Sequence, residues 1–189
     1  MLFGFVDSQS LFTLLHLFGV VIGAGGAFAS DLIFLSSIND ERISPTEMRF
    51  LRLGSKMVWG GLFLIAISGI FLFAPDSARY LASSKFLAKM TIVAVIILNG
   101  LFFHLSHIPR LHRHVGSHFP SSDEFVRKSS LLTASGVISL VSWSSAVVLG
   151  ALRDVPFSYG TIMAVYAAAL GVGVGIGIVF QGRIFGIRR

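Results

Sequence analysis

Leu14-Leu15-His16-Leu17-Phe18-Gly19-Val20-Val21-Ile22-Gly23-Ala24-Gly25-Gly26-Ala27-Phe28-Ala29-Ser30-Asp31-Leu32-Ile33 is the stretch that decides the fold. Only His16 and Asp31 interrupt it with ionisable groups, and the apolar run extends from Leu11 to Leu35. About 20 such residues, at about 1.5 Å each, cross the hydrocarbon of a bilayer. Four further runs meet the same criterion: Met57–Ala74, Phe86–Leu105, Leu131–Ala151 and Thr161–Gln181. Lipid cannot satisfy open backbone groups, so each run is predicted to be an α-helix. Strand-like alternation is absent. The predicted class is therefore all-α: one integral membrane bundle of five transmembrane helices, forming a single domain over residues 1–189. The first run is too long for a cleavable signal peptide and has no basic residues before it.

Composition agrees. Hydrophobic residues make up 54% of the chain and charged residues 13%, against about 25% charged in soluble domains. The mean hydropathy is +0.82. This excludes an ordinary soluble domain, a disordered chain and a nucleic-acid-binding module. The net charge of +6 comes from basic residues in short loops, which points to a membrane surface and the lipid bilayer as the first partner. The chain has no cysteine, so disulfides, thiolate metal sites and cysteine nucleophiles are excluded.

The basic residues also set an orientation. Arg42, Arg49, Arg52, Lys56, Arg110, Arg113, Arg127, Lys128, Arg183, Arg188 and Arg189 fall on one side of five spans. Arg79, Lys85 and Arg153 fall on the other, and Lys89 lies inside a span. The positive-inside rule then places the C-terminus in the cytoplasm and the N-terminus outside, as in a bacterial cytoplasmic (inner) membrane.

Small residues recur at helical spacing. Gly19, Gly23 and Ala27 share one row of the first span, with Gly26 and Ser30 beside them. The fifth span carries Gly171, Gly173, Gly175 and Gly177. Such rows let helices approach closely in lipid, within one chain, against a second copy or against a partner subunit. Ser135, Ser139 and Ser142 line one face of the fourth span. They can bond back to their own helix, bridge to a neighbour or line a polar pocket. In the first cytoplasmic loop, Ser44, Pro45 and Glu47 have the pattern of a capping box with proline at the first helical position.

Ionisable groups at membrane depth are candidates for function. His16 and Lys89 sit near the starts of two spans that run in the same direction, so they are expected at one level near the outer side, with Met90 adjacent. Lys89 can instead snorkel to the headgroups. His16 can instead bond a serine of the fourth span. Asp31 is expected near the inner end, level with Trp59 and His104, where carboxylate and histidine could pair. Trp59 also suits the interfacial aromatic belt.

Five of the six histidines crowd into one stretch: His104, His107, His112, His114 and His118. His104 and His107 are one turn apart, and Pro109 follows. Imidazole is the commonest metal ligand. His104, His107, His112 and His114, with Asp31 on the path, would suit a transition metal ion. A basic loop touching anionic lipid is the plainer alternative. For a haem, His16 has no histidine at its own level, and His104 lies at the opposite end. This argues against a four-histidine, two-haem cytochrome.

The run from Leu14 to Gly26 resembles the first helix of the HemJ/CopD-like membrane families, with a histidine followed some ten residues later by paired glycines. Ser84-Lys85-Phe86-Leu87-Ala88-Lys89-Met90-Thr91-Ile92-Val93, continuing to Asn99-Gly100 and His104, looks like their third helix. Trp59-Gly60-Gly61-Leu62 and Ser68-Gly69 suit the helix between. The resemblance covers about residues 11–105. It implies haem b, with His16 and Lys89 in the roles of the HemJ-type first-helix histidine and third-helix lysine, and the CopD side implies copper. The chain differs in its fifth span, the loop after its first helix and its histidine cluster.

Three functions follow as expectations. One is a haem-b-associated redox protein with a site formed by His16, Lys89 and Met90. The second is an accessory subunit of a larger membrane complex, or a homo-oligomer. The third is a transition-metal permease using the histidine cluster.

Overall fold

The computed structural model describes residues 7–39, 44–109, 123–153 and 155–184, with side chains left out at 37–39, 107, 123–129 and 181–184. All regular structure among the described residues is helical. Helix α1 covers Ser8–Asn39 and α2 Pro45–Phe73. A 3₁₀ turn, Ala74–Asp76, and a short α3, Ser77–Ala82, lead into α4, Ser84–Phe102. Helix α4 runs on as a π-helical turn over Phe103–His107. Helix α5 covers Asp123–Ala151 and α6 Tyr159–Ile184. Helices α1, α2, α4, α5 and α6 are each long and apolar enough to cross a membrane.

The boundaries differ from the sequence reading in two places. The capped start at Ser44 and the span from Met57 are one continuous helix, α2. Ser44 Oγ accepts from Glu47 N at 3.2 Å, and Glu47 Oε2 accepts from Ser44 N at 2.7 Å, completing the expected capping box. The segment after Phe73 is helical rather than open, because Pro75 fits the first turn of a helix but lacks the N–H that would continue α2.

Glycine spacing decides how α1 and α2 pack. A Cβ on Gly61 would stand 2.5 Å from the Cα of Gly23 and 2.6 Å from the carbonyl oxygen of Gly19. The two backbones are in contact there, which Gly61 and Gly19 allow; a Cβ on Gly23 would instead meet the Trp143 ring at 2.7 Å. Ser30 closes over Gly54 further along, with its hydroxyl donating to Gly26 O at 2.7 Å. In α6, Gly173 and Gly177 pack against Val137 and Thr133 of α5, whereas Gly171 and Gly175 have nothing within 4 Å.

The interior is small and built from α1, α2, α4, α5 and α6. Ala24, Leu62, Ala88, Ile92, Ile96, Trp143, Leu149 and Tyr166 form its buried centre. Large apolar side chains such as Phe18, Val21, Leu98 and Val179 face outward. An apolar exterior is what a bilayer solvates and water does not.

Candidate functional site

Two cavities lie at different depths in the bundle, one lined by His16 and Lys89 and the other by Asp31. At the end that holds the start of α1, His16 and Lys89 line a cavity with Val20, Leu62, Val93 and Trp143. The two side chains thus share one cavity. His16 Nδ1 lies 3.1 Å from Ser68 Oγ, and Ser68 Oγ donates to Leu64 O at 2.5 Å. A hydroxyl has one proton. With that proton on the Leu64 carbonyl, Nδ1–H is the donor to Ser68, and Nε2 is left as the acceptor. The partner serine comes from α2 and not from the fourth span.

Lys89 lies against the last turn of α5. Its Nζ is 3.6 Å from where a Gly150 Cβ would be. One turn earlier, Lys85 Nζ donates to Leu152 O, and to Arg153 O at 3.2 Å. Two lysines of α4 thus face the negative end of the α5 dipole and its unpaired carbonyls. Met90 does not join them; it is 41% exposed on the outer face.

The His16–Lys89 cavity measures about 20 Å³. A single water needs about 10–15 Å³ of such space. A haem macrocycle does not fit between these residues as the helices are packed, and the α1–α2 seam beside them has no slack. The Tyr166 hydroxyl lies 2.7 Å from Ser142 Oγ and joins α6 to α5.

The second cavity lies toward the other end. Asp31 is fifteen residues beyond His16 on α1, a rise of about 22 Å. The cavity is about 50 Å³ and is lined by Ser30, Asp31, Ser55, Trp59, Asn99, Phe103, Ser135, Ser139 and Trp143, among others. Ser139 of α5 and Asp31 of α1 line it together. Asp31 Oδ2 is buried and has no hydrogen-bond partner. Asn99 and Ser135 hold each other: Asn99 Nδ2 donates to Ser135 O at 3.1 Å, and Ser135 Oγ donates to Asn99 Oδ1 at 3.0 Å. Of the fourth-span serines, Ser135 and Ser142 bridge to neighbouring helices, and Ser135 and Ser139 also line the cavity.

His104 Nδ1 is 3.2 Å from Ser55 Oγ. The histidine therefore reaches the cavity's rim through Ser55, and among the described residues Asp31 has no ion pair. Trp59 is half-buried on the cavity wall. Phe103 enters the lining from the π-helical turn, a distortion frequent at functional positions. His112 and His114 lie outside the described residues, as does the side chain of His107. Among the described residues no group of three or more His, Asp or Glu is placed to hold a metal ion.

Sequence reasoning missed Ser68, Lys85 and Trp143. Trp143 left a legible trace: a tryptophan in mid-span is far from the headgroup level that usually holds it. Trp143 and Ile96 line both cavities and form the partition between them. Comparison with family models, curated proteins and solved structures finds no match to the chain.

Proposed function

We propose that this chain is a membrane-embedded cation-binding protein of the permease type, with Asp31 as the group that takes the cation or a proton. The observation that carries this reading is the Asp31 carboxylate: Oδ2 is buried, unpartnered and set in a cavity that no lysine, arginine or histidine lines among the described residues. A lone carboxylate at membrane depth is costly to keep. Ionised, it calls for a cation; protonated, it calls for an acceptor. Either state is completed by something that enters the cavity.

The lysine and arginine distribution supports a cytoplasmic C-terminus, which puts the Asp31 cavity toward the cytoplasm of a bacterial inner membrane. His104, joined to the rim through Ser55, would then stand at the cytoplasmic approach. A transition metal delivered by the histidine stretch is one cation class within this reading. The His16–Lys89 pair supports a haem reading only if α1 and α4 separate to admit one.

The test is cation-induced proton release from detergent-purified protein in weakly buffered solution. The panel comprises sodium, potassium, ammonium, alkylammonium, zinc and nickel ions. At least one ion is expected to displace protons from the wild type and none from Asp31→Asn. No Asp31-dependent release by any member would end the reading. A Soret band lost in His16→Ala would replace it with the haem reading.

A further inference from the structure

The linings of the Asp31 cavity specify more than a positive charge. We propose that its ligand is a small alkylammonium ion, held by Asp31 through an N–H bond and by Trp59 and Trp143 through its alkyl groups. This inference rests on the reading of Asp31 as the cation-binding group and names the class of cation.

Three observations carry it. The chain has two tryptophans, and both line this one cavity, with Phe103 beside them. Indole faces attract cations and apolar groups together, which suits an organic ammonium better than a hydrated metal ion. Ionised, the unpartnered Asp31 Oδ2 is an acceptor, so the ligand that replaces its proton must bring a donor. That selects an ammonium with N–H groups over a quaternary one. The volume of about 50 Å³ corresponds to about four water-sized spheres, which matches an ammonium carrying one to three carbons.

The same residues supply the assay. Because both tryptophans line the site, intrinsic emission of the full-length protein in detergent reports on its occupancy. Ethylammonium chloride is titrated against sodium chloride at matched ionic strength. A saturable change in tryptophan emission is expected with ethylammonium and none with sodium. The apparent affinity should fall at least tenfold in Asp31→Asn and several-fold in Trp59→Leu. Tetramethylammonium, which has no N–H, should bind at least tenfold more weakly to the unaltered protein, a comparison that needs no variant to fold. No saturable change, an equal response to sodium, an undiminished response in Asp31→Asn or tighter tetramethylammonium binding would each overturn the proposal. If sodium or a metal ion releases protons through Asp31 while ethylammonium leaves emission unchanged, the cation-binding reading stands and the alkylammonium assignment falls. If no ion does either, both fall.

Discussion

His16 and Asp31, each in a cavity of this bundle, differ in how far their hydrogen bonding is satisfied. At the His16 end, the imidazole is tied to Ser68 on α2, and Lys89 lies beside its neighbour Lys85 at the carbonyl-rich end of α5. At the Asp31 end, a carboxylate oxygen has no partner although serines and an asparagine surround it. The first end uses its polar groups to hold helices together. The second keeps one in reserve. Intramembrane charge alone does not separate structural from functional residues; the completeness of the hydrogen-bond account does.

The sharpest way to break this comparison is to remove the partition. Trp143 is 3% exposed and lines both cavities. Trp143→Ala should cost about 3–5 kcal/mol, as large aromatic deletions from interiors do, and should join the two cavities. Thermal unfolding in detergent measures the first effect. The absence of native cysteine permits the second to be read with single cysteines at Val20 and Ser135. Thiol reagents applied from one side should reach both positions only in the variant.

Next in size is the seam that supports both ends. Gly61→Ala places a methyl group against the backbone of Gly23 and Gly19, and neither can rotate away. About 2–3 kcal/mol of destabilisation is expected from such overpacking. Gly60→Ala, with open space around it, should leave the unfolding midpoint unchanged or raise it slightly. Equal behaviour of the two variants would mean that α1 and α2 do not touch as described.

A smaller change sharpens the contrast between the cavities. Ser68→Ala removes the His16 acceptor and should cost about 1 kcal/mol. It should leave cation-induced proton release intact, because Asp31 does not depend on it. A loss of release in this variant would show the two ends acting as one path.

The smallest effect concerns the start of α1. Asp7 Oδ1 accepts from Ser10 N at 2.6 Å. These hydrogen bonds to Ser10 hold the Asp7 carboxyl below its usual value of 3.8. Its folded value being the depressed one, the stabilisation is fully present above the unfolded value and is lost as pH falls through the folded one. Amide exchange at Ser10 should therefore accelerate only in acid, and Asp7→Asn, which keeps the capping oxygen, should remove that pH dependence.

Much of the fold was legible because hydropathy and period are local properties. The five spans and the capping box at Ser44 follow from residues near one another in the chain, and so does the small-residue row of α1, though not its choice of α2 as partner. The candidate sites were legible only as positions. His16 and Lys89 could be placed at one level by counting turns, but not the volume between them. Met90 could be placed next to Lys89 in sequence, but one residue is 100° around a helix, and it faces outward.

By itself, the sequence determined an all-helical chain with five bilayer-length segments and a small set of ionisable groups inside them, because each segment must satisfy its own backbone in lipid. Tertiary structure alone decided which of those groups found partners. Ser68 meets His16 across 52 positions of chain, and Asn99 meets Ser135 across 36. Such pairings depend on the rotation and crossing of whole helices, which no local pattern encodes. The unpartnered oxygen of Asp31 emerged from that same packing, with both tryptophans brought around it.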